Sequence, residues 1–133
     1  MYHSWTLMRY YDMIKRLCIA CVGLALLSSC GEYYRVQKSS DLNERYSFAK
    51  KSYNEKKYGR VVNLLEDIVP QFVGTSEGPQ STYLLADAYL QQGDESEASR
   101  YFQNYYTSYP KGPMAEEARF KAGYCLFQAS PDP

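Results

Sequence analysis

The stretch Tyr83-Leu84-Leu85-Ala86-Asp87-Ala88-Tyr89-Leu90-Gln91-Gln92-Gly93-Asp94-Glu95-Ser96-Glu97-Ala98-Ser99-Arg100-Tyr101-Phe102 decides the fold. Its first half carries Tyr83, Leu85, Ala86, Tyr89 and Leu90 at helical spacing. Gln91-Gln92-Gly93-Asp94 is a polar break, in which Gly93 suits a helix C-terminus and Asp94 can cap the next helix. The second half opens a new stripe, Ala98, Tyr101, Phe102, Tyr105, Tyr106 and Tyr109, spaced i, i+3, i+4, i+7, i+8, i+11. Two amphipathic helices joined by a short turn form a hairpin.

Shifting the chain by 37 residues superposes a second hairpin. Val61, Leu64, Leu65, Ile68, Val69 and Phe72 repeat the second stripe, Tyr46, Ala49 and Tyr53 the first, and Asn54-Glu55-Lys56-Lys57 the break. Residues 115–129 match the opening helix once more, with Phe120 at the place of Tyr83 and Gly123 at that of Ala86. Small, small, bulky and proline positions at Ala86, Ala98, Phe102 and Pro110 resemble the tetratricopeptide consensus. The first repeat offers Ala49, Val61 and Leu65, with Val73 where proline is expected. The expected fold is all-α: a tetratricopeptide-like α-solenoid of two full repeats plus the first helix of a third. A coiled coil is excluded because glycine and proline interrupt every candidate heptad run. Gly78-Pro79 and Gly112-Pro113 lie 34 apart rather than 37, so the opening helix of repeat two must start differently. The lone last helix leaves Met114, Phe120, Tyr124 and Phe127 on an uncovered face.

The N-terminus reads as an address. Lys15-Arg16 precede an uncharged run from Leu17 to Leu27, too short by itself to span a bilayer, which needs about 20 residues. Leu27-Ser28-Ser29-Cys30 resembles a bacterial lipobox, with Cys30 as the lipid attachment site. The expected organisation is a signal peptide over 1–29, with 1–12 reading as an over-extended start, a lipidated tether over 30–42, and a repeat domain over 43–133. Cys18 and Cys21 fall in the removed segment, so Cys125 is left as a small buried hydrophobe.

The full chain has 133 residues with 15 Lys+Arg against 15 Asp+Glu. A zero net charge argues against nucleic-acid binding. The single histidine, His3, lies ahead of the signal segment, and no metal-ligand spacing is present. Glu116 and Glu117 are neighbours and diverge on a helix, and no nucleophile motif or phosphate loop occurs. No enzyme, cofactor or metal is expected.

Lipobox, tether and degenerate repeats together resemble the BamD family, lipoproteins of the β-barrel assembly machine in Gram-negative outer membranes. The residues that carry the resemblance are Tyr109-Pro110-Lys111-Gly112-Pro113-Met114-Ala115-Glu116-Glu117-Ala118-Arg119-Phe120-Lys121-Ala122-Gly123-Tyr124 and Tyr83 to Tyr89. The closing Ser130-Pro131-Asp132-Pro133 resembles versions from the Bacteroidetes. The resemblance covers the mature chain from about Asp41 to the end, about half of a family member, its N-terminal part. It implies an outer-membrane, periplasm-facing lipoprotein held by a lipid on Cys30. The implied partners are unfolded outer-membrane β-barrel proteins, the central barrel-assembly subunit and accessory lipoproteins. The Tyr-Pro-x-Gly-Pro motif is also similar to the periplasmic coordinator of the Tol-Pal system, which leaves a generic interaction module as the alternative.

First helices of stacked pairs line a concave face. The candidate peptide-binding residues there are Tyr46, Lys50, Tyr53, Tyr83, Asp87, Leu90, Phe120, Tyr124 and Phe127. Six of the nine are aromatic, which suits an extended peptide with apolar side chains. Lys50, Lys51, Lys56, Lys57 and Arg60 cluster in repeat one. They read first as a solvated face partly paired with Glu55, and second as a surface for anionic headgroups.

Overall fold

The computed structural model describes residues 2–131, with side chains from residue 3 onward except those of residues 26–29. The side chains of Leu27, Ser28 and Ser29 in the lipobox, and the closing Asp132-Pro133, lie outside the described residues. The chain divides into two compact units, residues 1–38 and 39–133.

The first unit is one helix, α1 (Tyr2–Gln37). Residues 3–25 are exposed along it, with Cys18 and Cys21 among them. Its mean hydropathy reaches 1.7, long and apolar enough by length and composition to cross a membrane, a test that a signal sequence also passes. Residues 31–37, within the stretch expected as a tether, are helical. Beyond Gly31 neither glycine nor proline interrupts them, and Arg35 in the last turn complements the helix dipole.

The second unit holds α2 (Leu42–Asn54), α3 (Tyr58–Leu65), a 3₁₀ turn (Val69–Phe72), α4 (Gly78–Gln91), α5 (Glu95–Ser108) and α6 (Ala115–Ala129). Among the described residues there is no strand, and the unit is a tetratricopeptide-like α-solenoid of two helix pairs and the first helix of a third. Each helix packs mainly on its neighbours in the chain, and α2 also touches α4 across the stack.

The 37-residue period is visible in the backbone. Asp41 caps α2 by accepting from the Asn43 and Glu44 amides at 2.9 and 3.2 Å, and Asp94 caps α5 by accepting from Glu97 at 3.2 Å. Gly93 closes α4 at φ +79°, and the Asp94 amide bonds back to the Tyr89 carbonyl at 3.0 Å. The same closure ends α2, with the Lys57 amide on the Ser52 carbonyl at 2.8 Å, but the left-handed residue is Lys56, at φ +58°. A side chain there costs about 1 kcal/mol relative to glycine. Lys57 also gives α3 no side-chain cap, where Asp94 gives α5 one.

The stripe from Val61 to Phe72 predicts one helix, but α3 stops at Leu65. Pro70 has no amide hydrogen to donate and disfavours the α conformation at Val69, so the chain tightens into the 3₁₀ turn. The apolar face survives the break: Val61, Leu64, Leu65, Ile68, Val69 and Phe72 are all buried. Arg45 reaches from α2 to this corner, donating to Asp67 at 2.6 and 3.1 Å and to the Leu64 carbonyl at 3.3 Å. A guanidinium at the carbonyl end of α3 satisfies acceptors that the helix leaves open.

α6 buries Ala115, Ala118, Ala122 and Cys125, and the Ser99 hydroxyl of α5 donates to the Ala122 carbonyl at 3.0 Å. Burial raises the Cys125 thiol above its usual pKa. Its other side exposes Phe120 (72%), Leu126 (61%) and Phe127 (78%). Tyr83, at the repeat position of Phe120, packs its ring edge-on against Phe102 and Tyr105 of α5.

Gly78 is required by close approach. A Cβ there would stand 2.5 Å from the Tyr109 hydroxyl and 2.7 Å from the Phe72 carbonyl oxygen, whereas a Cβ on Gly123 meets nothing within 4 Å. Gly78→Ala is expected to lower unfolding free energy by about 1–3 kcal/mol through overpacking. Gly123→Ala is expected to raise it by up to ~1 kcal/mol through helix propensity. Urea unfolding followed by circular dichroism measures both.

Candidate functional site

Four side-chain contacts between successive first helices share one spacing. Tyr46 donates to Gln80 at 2.8 Å, Tyr53 to Asp87 at 2.5 Å, Tyr83 to Glu117 at 2.6 Å, and Lys121 to Asp87 at 3.3 Å, each 34 residues apart. Equivalent positions are 37 apart, so each contact reaches one helical turn towards the N-terminus of the next first helix. Neighbouring first helices are therefore staggered by a turn.

These bonds meet in one network. Lys121 also donates to the Tyr83 hydroxyl at 2.7 Å and pairs with Glu117 at 3.0 Å. Burial alone would lower the pKa of the Lys121 ammonium, but the bonds to Tyr83 and Glu117 and the charge of Asp87 raise it above the usual lysine value. Burial, and then the bond to Glu117, pushes Tyr83 up to about 12. Burial, and then Asp87, raises Tyr53 as well. Glu117 is lowered, first by the Tyr83 hydroxyl and then by Lys121. Burial, and then the charge of Glu77, pushes Tyr46 up to about 12.

Beside the network runs an open groove of about 570 Å³. Tyr53 and Tyr83 line it, with Leu84, Tyr105 and Met114 as apolar wall and Pro79, Pro113, Ser76 and Gln80 completing it. Tyr105 is buried, and its hydroxyl accepts from the Met114 amide at 3.3 Å.

Of the nine residues expected at a concave site, the structure brings Tyr53, Tyr83 and Asp87 together at the groove and its network. Tyr46 is buried, its ring 5.4 Å from that of Phe72, and Lys50 sits 4.5 Å over the Tyr46 ring. Leu90 is half-buried beyond the groove lining. Phe120, Tyr124 and Phe127 are exposed on α6 and do not line the groove either, with Phe120 and Tyr124 stacked on each other. Phe120 occupies the register that, on α4, turns Tyr83 towards α5.

Sequence reasoning missed Lys121, Glu117, Gln80, Leu84 and Met114. The 34-residue spacing of the two Gly-Pro pairs carried the signal: applied to side chains, it links Tyr53 to Asp87 to Lys121 and Tyr83 to Glu117. Cys30 is exposed on α1. Lys50 separates from the basic cluster, because it lies over the Tyr46 ring.

A family model, YfiO, described as "Outer membrane lipoprotein", matches residues 38–133. No curated protein and no solved structure gives a significant match.

Two outcomes follow from the network. Lys121→Met takes from the buried Asp87 carboxylate its cationic partner and leaves the Tyr53 hydroxyl bonded to it. Breaking a buried pair costs about 3–5 kcal/mol. With the Lys121 side chain 25% exposed, about 2 kcal/mol is expected in urea unfolding. Tyr46 and Tyr83 ionise near 10 when unfolded and near 12 when folded. Their contribution is fully present below pH 10 and is lost as pH rises towards 12. Unfolding free energy should fall across that window, and Tyr46→Phe/Tyr83→Phe should flatten the fall.

Proposed function

The chain belongs to the YfiO family of outer membrane lipoproteins, and from that premise we propose that its tyrosine-lined groove holds extended segments of unfolded outer-membrane β-barrel proteins. Family membership points to a role in outer membrane assembly. The reading is of a non-catalytic recognition subunit, acylated at Cys30, that faces the periplasm and docks on the central barrel-assembly subunit and its accessory lipoproteins.

The observation that carries it is the division of labour inside the groove. The hydroxyls of Tyr53 and Tyr83 are already bonded to the network beside it, Tyr53 with Asp87, and Tyr83 with Glu117 and Lys121. What remains for a ligand is the apolar wall of Leu84, Tyr105 and Met114 between two prolines. Such a surface takes apolar and aromatic side chains with little demand on the rest of their sequence, as a receptor for many precursors requires. In the network beside the groove Asp87 and Glu117 outnumber Lys121, so a terminal carboxylate is better placed away from it. A barrel-derived C-terminal segment ending in an aromatic residue fits by burying the ring.

Leu84→Asp introduces a charge on the wall and is expected to weaken binding of a fluorescent barrel-derived C-terminal peptide at least about ten-fold, the size of a modest hot spot. Phe120→Ala, off the groove, should leave affinity unchanged. Fluorescence anisotropy reads the binding, and circular dichroism checks that both variants stay helical. Equal affinity for Leu84→Asp and the unmodified chain would sink the reading.

A further inference from the structure

The turn between α2 and α3 is built against local stability. Its repeat counterpart, between α4 and α5, uses Gly93 at the left-handed position and Asp94 as the cap of α5. The first repeat has the same backbone closure but places Lys56 at φ +58° and Lys57 where the cap belongs. Each choice is the less favourable one for the fold.

The substitutions also invert the charge of the turn. Residues 51–60 carry four cations, Lys51, Lys56, Lys57 and Arg60, and one carboxylate, Glu55. The equivalent residues 88–97 carry three carboxylates, Asp94, Glu95 and Glu97, and no cation. Lys51, Lys56 and Lys57 are exposed and Arg60 is half-exposed. Lys57 pairs with Glu55 at 2.6 Å. The hydrogen bond from Lys57 lowers the Glu55 carboxyl first, and the charges of Lys57, Lys51 and Arg60 add to it, so these groups surround one carboxylate. Residues 51–60 thus carry a formal charge of +3 on an exposed turn, where the equivalent residues 88–97 carry −3.

We propose that this turn is a cationic docking site for anionic phospholipid headgroups. The family places the chain at a membrane, so the ligand is at hand. Lysine is a compact point charge on a flexible stem, suited to headgroup phosphates that present no fixed geometry. Each cation brought to an anionic surface strengthens association about five-fold, within a screening length of about 8 Å at physiological salt. The site goes beyond the peptide groove and uses none of its residues.

The test uses the full chain reconstituted into vesicles of phosphatidylcholine alone or of phosphatidylcholine mixed with phosphatidylglycerol. An amine-reactive reagent labels lysines, and mass spectrometry reads the rate at each. Lys51, Lys56 and Lys57 should label about five-fold more slowly on the anionic vesicles, whereas the exposed Lys111 should label equally on both. The protection should vanish near 1 M salt, where screening falls to about 3 Å. The variant Lys56→Gly/Lys57→Asp copies the second-repeat turn, so it should keep or raise the thermal midpoint while Lys51 loses its lipid-dependent protection. Equal labelling on the two vesicles, protection that survives high salt, or undiminished protection of Lys51 in the folded variant would each overturn the proposal.

Discussion

The Asp87 carboxylate is the constraint on which the arrangement of the repeats turns. It is buried, with 4% of the residue exposed, and it accepts from Tyr53 of the helix before it and from Lys121 of the helix after it. A buried carboxylate is costly unless it is hydrogen-bonded and paired, so the three first helices can settle only where both donors reach it. Apolar packing between α4 and its neighbours is tolerant of small slides, since dispersion and area burial are nearly non-directional. The Tyr53–Asp87–Lys121 chain is directional, and the parallel bonds from Tyr46 to Gln80 and from Tyr83 to Glu117 repeat the same one-turn stagger. The stagger in turn sets where Leu84, Tyr105 and Met114 stand relative to Tyr53, and so the shape of the groove.

The fold was legible because its signals are local. Gly93, Asp94 and the stripe Ala98, Phe102, Tyr105 state a turn, a cap and a buried face without reference to anything distant. Hydrophobic period alone missed the end of α3, because the stripe from Val61 to Phe72 stays apolar through a backbone that Pro70 has bent. A face can be conserved in burial while the helix that carries it is interrupted: the period reports what must be buried, and proline reports how the backbone may do it. The helical stretch after Gly31 escaped for the opposite reason. Its composition is polar, and polarity says little about helix formation where no breaker intervenes.

The candidate site was half legible. Aromatic residues at first-helix positions were expected to point into one groove, and Tyr53 and Tyr83 do. Phe120 shares the register of Tyr83 yet lies 72% exposed, because register fixes the direction of a side chain and leaves open what stands opposite. Opposite Tyr83 stand Phe102 and Tyr105. Lys121 was invisible to the aromatic argument, although it contacts Tyr83, Asp87 and Glu117 at once. Its partner Asp87 sits at a spacing that differs by one turn from the repeat period. Only a three-dimensional offset between parallel helices turns a 37-residue repeat into 34-residue contacts.

The two repeats divide between stability and surface chemistry in a way that the period exposes. In the second, every special position serves the backbone: Gly93 frees the left-handed closure, Asp94 caps α5, and Gly78 admits the Tyr109 hydroxyl. In the first, the matching turn gives up glycine and cap for Lys56 and Lys57 while keeping the closure they strain. Repeats that descend through the same geometry differ most informatively where one of them departs from what the geometry prefers. At such a position folding energetics favour the other residue, and the two lysines add exposed positive charge to the turn instead.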